Sequence, residues 1–384
     1  MLPGKSFHDW IPIIRGGVLS SQKRGWKHHL EFALKWLQLA TLAAGNKGLL
    51  KGNELIRRKW HPLYPEIAGH TIPTFLNIYL LTRDSAWESL ALESATHLLN
   101  YRTRDGGIYY WEREQHPFPV IFDTGQAIFG WISAYLHTGN SLFLDAAMQS
   151  GNWLVNQQSM NGFWVRHQHP GYSKVIDARV DWALLELNKI TGEKEYYEAA
   201  LRNLCWVIEN QQPDGWFAHC GFRATESPFT HSLAYTAEGL FFCGKIINDE
   251  RLLHAAKKTA DALLKHQHPN RSLAGAFGEH WKITEKPICL TGNAQMSKLW
   301  MCMAKEFNAT QYEMAAKKFL EFVCRTQYLK ADYPQIQGGI AGSFPIYGKY
   351  ERFKYPGWAC KLFVDALRTV QENPNAQRFL TYRG

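Results

Sequence analysis

Cysteine is scarce and scattered. The 384-residue chain has seven, an odd number, and no two stand in a CxxC spacing. That argues against a disulfide framework and a zinc knuckle, and it suggests a reduced, cytoplasmic compartment. No run of 18 apolar residues occurs, so no transmembrane helix is expected. The opening MLPGKSFHDWIPIIRGG has neither the unbroken apolar core nor the small-residue cleavage site of a signal peptide. Charge is sparse too: 20% of residues are charged against 46% hydrophobic, which excludes a disordered chain. The formal net charge is +9, but the basic residues form no dense stripe, so nucleic acid is not an expected partner.

Aromatic residues are abundant: 15 Trp, 17 Tyr and 21 Phe make up 14% of the chain. Much of this must be core. The surplus of Trp and Tyr also suits a cleft that grips flat, amphipathic ligands such as sugar rings.

One pattern recurs six times. Its first half is an amphipathic, charge-bearing helix, at 27–44, 86–101, 142–157, 195–211, 251–267 and 311–327. Its second half is apolar nearly all round, at 70–82, 123–138, 179–191, 231–248, 291–307 and 356–370, although Glu186 and Lys189 interrupt the third. Four of these helices run into a turn carrying Asp, Asn or Gly: Arg83-Asp84, Gly139-Asn140, Gly192-Glu193 and Asn248-Asp249. Six half-buried helices alternating with six buried ones predict an all-α (α/α)6 toroid, built from antiparallel hairpins without strands. Inner-helix starts near 66, 123, 180, 231, 291 and 356 recur at intervals of 57, 57, 51, 60 and 65. This spacing favours one domain over 26–372, with an N-terminal extension (1–25) and a C-terminal tail (373–384). The rival is an open α-solenoid, but the repeats share no consensus.

Alternation puts all inner-helix N-termini at one end of the ring. The long linkers collect there, with DGGIYYWE, NGFWVRHQHPGY, PDGWFAHCGFRATESPF and GAFGEHW segments. Helix N-termini favour an anionic ligand at that end. The inner-helix starts are unusually polar. Glu66 and Asp123 are the acid/base candidates, followed by His231 and Tyr235. His70, Gln126, Arg179, Asp181, Glu238, Asn293, Gln295 and Ser343 are candidate substrate ligands. Trp131, Trp164, Trp216 and Trp358 are candidate stacking partners.

Plainer uses exist for several of these. Asp123, Asp181 and Thr291 suit N-caps. His231 and Tyr235 are an i,i+4 pair that suits a core. Glu66 suits a first-turn charge facing the helix dipole. Convergence of six polar starts on one mouth favours a site. Paired carboxylates suit glycoside hydrolysis. Tyr235 or His231, with Arg179 or a Gln/Asn steadying a carboxylate, suits proton abstraction next to a uronate carboxylate. The sequence leaves both open.

No metal or cofactor is expected. HQHP at 167–170 and 266–269, with EQHP at 114–117, lacks a third ligand in register. Gln158…Gly162…Trp164 and Gln211…Gly215-Trp216-Phe217 resemble the QxxxGx[W/F] loops of terpene cyclases, but no DxDD or DDxxD cluster accompanies them. GGIAGS (338–343) follows no clear strand and is weak as a phosphate loop.

The set YPEIAGHTIP, FDTGQAIFGW, DGWF, THSLAYTAEGL, CLTGNAQMSKLW and GGIAGSFPIYGKY…YPGWACKLFVDAL resembles a bacterial family encoded in exopolysaccharide and O-antigen gene clusters, over roughly residues 60–370. At the level of fold it is similar to six-hairpin glycosidases, among them unsaturated glucuronyl hydrolases, and to glucuronyl C5-epimerase catalytic domains. The resemblance implies polysaccharide metabolism and carries no catalytic residues across, so the site assignments rest on the helix starts. The resulting expectation is a carbohydrate-active enzyme whose partner is an oligo- or polysaccharide, anionic ones included. It would act as a glycoside hydrolase or as a uronate epimerase or lyase. The alternatives are a non-catalytic glycan-binding scaffold and, third, an isoprenoid cyclase with a largely apolar cavity.

Overall fold

The computed structural model describes residues 24–110 and 118–371, together with Leu19. The tail (373–384), the EQHP copy at 114–117 and the N-terminal extension, apart from Leu19, Arg24 and Gly25, lie outside the described residues.

Local chemistry sets the hairpins. Inner helices α2 (Pro65–Thr82), α4 (Ile121–Thr138), α6 (Ala178–Thr191) and α8 (Thr230–Ile247) each end on a left-handed residue: Arg83, Gly139, Gly192 and Asn248, with φ of 59°, 71°, 75° and 53°. This conformation stops a helix and turns the chain. Outer helices α3 (Ser85–Leu98), α5 (Ser141–Gln157) and α9 (Glu250–Lys265) then start on Asp84, Asn140 and Asp249. Their side chains accept the N–H two residues on at 3.0, 3.1 and 2.9 Å. The pairs are completed by outer helices α1 (Trp26–Leu42), α7 (Lys194–Glu209) and α11 (Thr310–Thr326) and inner helices α10 (Leu290–Glu306) and α12 (Gly357–Gln371).

The inner helices touch in the order α2, α4, α6, α8, α10, α12, and α12 returns to α2, which closes the ring. The expected (α/α)6 toroid is thus the observed architecture. Burial follows the pattern in the sequence. Helix α8 is buried from Thr230 to Gly244, whereas α9 buries one stripe through Leu252, Ala256, Thr259 and Leu263. Trp131 on α4 donates its indole N–H to Ala95 O of α3 at 3.1 Å, and Trp300 on α10 to Ala260 O of α9 at 3.3 Å. Both therefore pin the inner ring to the outer. The QxxxG turns do similar work between hairpins. Gln158 donates to Ala199 O and Gln211 to Ala255 O, each at 2.8 Å, so both motifs are structural.

Strands correct the expectation of a strandless ring. β1 (Gly52–Glu54) lies between β2 (Lys59–Trp60) and β7 (Lys354–Pro356) in an antiparallel sheet. Its register pairs Gly52 with Pro356 and Asn53 with Tyr355. β3 (Ala276–Phe277) pairs with β4 (Ile283–Glu285), and β5 (Ile288–Cys289) with β6 (Ser343–Phe344). The reason is that long linkers packed on the ring must pair their buried backbone groups, and short ladders do so. Gly52 is obligatory: its φ is +146°, and a Cβ there would lie 2.4 Å from Tyr355 O.

Candidate functional site

Glycines set the geometry of the central pair. A Cβ at Gly69 of α2 would lie 2.6 Å from Gln126 O of α4, and one at Gly130 of α4 would lie 2.6 Å from Gly69 O. The two backbones therefore approach closely, and their first turns carry Glu66 and Asp123 to one place. Neither carboxylate caps its helix. The cap positions are Tyr64 and Val120, with no side-chain cap bond. Asp181 likewise lies inside α6, and Thr291 inside α10.

These turns open into a cavity of about 890 Å³ at the mouth of the ring. Glu66, Asp123, Tyr64, Lys51 and Lys174 line it on one side. Phe122, Phe222, Phe229, His231, Tyr235, Tyr350 and Trp358 supply an aromatic lining. The His231 ring lies 4.2 Å from Tyr235 and 5.5 Å from Tyr350, and Trp358 donates its indole N–H to the Tyr350 hydroxyl at 2.7 Å. Tyr110 stacks on His169 at 4.0 Å, and both line the rim. Nine charged side chains border the cavity, Arg223, Glu226, Glu285, Lys349 and Glu351 among them.

The two carboxyls are buried without a close cation. Burial pushes the Glu66 carboxyl up to about 7, against the pull of Arg179, Lys361 and Lys51. Burial, then the charge of Glu66, pushes Asp123 well above the usual carboxylate range. Asp123 Oδ1 accepts the Tyr64 hydroxyl at 3.3 Å, while its buried Oδ2 has no hydrogen-bond partner. His70 Nε2 lies 3.5 Å from Glu66 Oε1, and burial holds that imidazole neutral.

Beneath this layer is a second, paired one. Glu238 receives Arg179 Nη1 at 2.7 Å and Gln295 Nε2 at 2.8 Å, and it pairs with the Lys298 ammonium. Arg179 also donates to Gln126 Oε1 at 2.7 Å. Nearby, Lys361 meets Asp365 at 2.8 Å. Despite burial, Lys298 and Arg179 hold Glu238 down to about 2.

Among known structures the chain matches unsaturated glucuronyl hydrolases. A heparin-specific one superposes with a TM-score of 0.72 at 14% identity, covering 90% of this chain and 96% of the other. The enzyme from Bacillus sp. GL1 gives 0.71 at 14% identity, over 89% and 96%. That from Streptococcus agalactiae gives 0.70 at 14% identity, over 92% and 93%. The shared fold is the (α/α)6 toroid. Mutants of these hydrolases have been crystallised with dGlcA-GalNAc6S and with dGlcA-Glc-Rha-Glc. The sequence matches no protein-family model and no curated protein. The polysaccharide-assembly setting implied by the motif resemblance gains no support from these neighbours.

Of the residues singled out in the sequence, the cavity of this toroid gathers Glu66, Asp123, His231, Tyr235 and Trp358. Gln126, Arg179, Glu238 and Gln295 form the paired layer, and His70 sits against Glu66. Arg179 is therefore not placed to steady a substrate carboxylate, because its guanidinium is committed to Glu238 and Gln126. The remainder lie elsewhere. Asp181 accepts from Asn203 of α7 at 2.6 Å, and Asn293 clamps Leu273 through its N–H and C=O at 2.9 and 3.3 Å. Trp164 donates to Leu154 O, Trp216 to Phe277 O and Ser343 to Tyr350 O. With Trp131, these are structural contacts away from the cavity lining.

Sequence reasoning missed Lys51, Tyr64, Tyr110, Lys174, Phe222 and Tyr350. Tyr64 carried a usable signal, standing two residues before Glu66 at a helix start, and Tyr110 and Phe222 stood in the aromatic linkers expected at that mouth. Among the described residues no group of three or more His, Cys, Asp or Glu side chains could hold a metal ion, and no helix is long and apolar enough to cross a membrane.

Proposed function

We propose that the chain hydrolyses glycosidic bonds in an oligo- or polysaccharide, with Asp123 as general acid and Glu66 as general base. The observation that carries this reading is the pair itself: two buried carboxyls on neighbouring inner helices, lining one aromatic-walled cavity. Burial raises both carboxyls; the charge of Glu66 raises Asp123 further, whereas three cations offset part of the burial effect at Glu66. At neutral pH the pair therefore keeps a proton on Asp123 while Glu66 ionises. Tyr64 occupies Oδ1 of Asp123, which leaves Oδ2 to carry that proton. Asp123 gives it to the leaving oxygen as the glycosidic bond breaks, and Glu66 takes one from the attacking water.

The fold shared with the glucuronyl hydrolases supports a glycan substrate, as does the aromatic wall. Proton abstraction by the second pair is less well served. Burial keeps the Tyr235 hydroxyl protonated far above its ordinary range and depresses His231 to about 3, so both are weak bases at neutral pH.

The test is to incubate the protein with a panel of unsaturated uronyl disaccharides and neutral oligosaccharides and to follow products by mass spectrometry. Cleavage of at least one class, lost in Glu66→Gln and in Asp123→Asn, is the expected result. Glycan binding without turnover, unchanged in both variants, would replace the enzyme with a binding protein.

A further inference from the structure

The paired layer is hydrogen-bonded to His231 of the cavity wall through Gln295. Glu238 on α8 is fully buried, and Arg179 and Lys298 keep it ionised, so its oxygens only accept. Gln295 on α10 lies 2.8 Å from Glu238 Oε2 and must present its NH₂ there. That orientation sends the amide oxygen to the opposite side, where it lies 2.8 Å from His231 Nδ1. An amide oxygen cannot donate, so Nδ1 must carry the hydrogen. The ring's second nitrogen is then bare, and the ring lines the cavity.

We propose that Glu238 acts through Gln295 to lock His231 as the Nδ1–H tautomer, so that Nε2 meets the cavity contents as a standing hydrogen-bond acceptor. Glu238 and Gln295 are positioning residues in this arrangement, and His231 is the contact. The group opposite Nε2 must then be a donor. On the hydrolase reading above, that donor is a sugar hydroxyl, and a carboxylate or sulfate is turned away because lone pair would meet lone pair. The charges acting on the ring are Arg179 on α6 and Glu238 on its own helix, with the phenols of Tyr235 and Tyr350 packed against it and the neutral His70 on α2 nearby. Burial and Arg179 hold the imidazole down to about 3 against the opposing pull of Gln295 and Glu238, so the ring stays neutral over the working range.

The lock can be read without any glycan. The intact protein is labelled with ¹⁵N-histidine, and long-range ¹H–¹⁵N spectra are recorded near pH 7, with His231→Gln used to assign the resonance. The expected spectrum has a protonated Nδ1 and a bare Nε2. Gln295→Met keeps the volume but offers only a weakly accepting thioether, and it should shift Nε2 toward the protonated position as both tautomers populate. A protonated Nε2 or a cationic ring in the wild type would overturn the proposal, as would a wild-type pattern retained in Gln295→Met. If that variant fails to fold, the wild-type spectrum alone decides. Failure of the hydrolase reading would leave this spectrum unchanged, so the two outcomes separate cleanly.

Discussion

Glu66 and Glu238 are the same side chain, both buried, on inner helices of one ring. One is pushed up to about 7 and the other down to about 2. Burial acts in the same direction on both. What differs is the company each keeps: Glu238 has Arg179 and Lys298 in contact, whereas Glu66 feels its cations only from a distance. The lesson is that contact with a cation, rather than depth, sorts these carboxylates into holding the ring together or standing ready for protons.

Substitution should separate the two layers. In the upper layer, Asp123→Asn or Glu66→Gln should cut turnover by about 10²–10⁴-fold, the range for loss of a general acid or base, measured by product formation. Folding should survive both. In the lower layer, Glu238→Gln strands two buried cations and should cost about 3–5 kcal/mol in urea unfolding. If the cost were as small as for Glu66→Gln, the contrast between the layers would collapse. Gly69→Ala should force α2 away from α4 and cost about 1–3 kcal/mol, with turnover falling as well because Glu66 and Asp123 separate. Trp358→Phe removes the bond to the Tyr350 hydroxyl and should cost about 1 kcal/mol by thermal melting.

Acidity sharpens the comparison further. Glu66 binds its proton more tightly folded than unfolded. Its contribution to stability is therefore complete below the ordinary Glu range and is lost as pH rises through about 7. Glu238 runs the other way. Its contribution is present above the ordinary range and is lost as pH falls through about 2. Glu66→Gln should accordingly gain stability over the wild type above about pH 7 and lose that advantage below about pH 5, as unfolding at the two pH values will show. With Glu66 as the base, the acid limb of kcat/KM should fall near 7, and a profile flat through that region would remove Glu66 from the role.

The fold was legible because the signals that set it are local. Inner helices expected near 66, 123 and 180 begin at Pro65, Ile121 and Ala178, since apolar residues at helical spacing follow each start directly. The meeting of Glu66 and Asp123 in one cavity was legible for the same reason. The face of a helix was less so: Arg179 and Asp181 are two residues apart, yet one reaches inward to Glu238 and the other outward to Asn203. Lys51, Lys174 and Tyr350 were not legible, because they sit on linkers whose place is fixed only by contacts distant in the chain. Tyr350 reaches the mouth through a bond to Trp358, and Lys51 sits beside a strand paired some 300 residues further on.

That clasp between β1 and β7 has a consequence for how the protein comes into being. The wall of the cavity draws on Lys51 at one extreme and on Tyr350 and Trp358 at the other. A growing ring of five hairpins holds both carboxyls yet lacks the side that closes the cavity beside them. A closed cavity should thus arrive in a single late event, when the last inner helix, α12, docks against α1 and α2, rather than form stepwise as the helices accumulate.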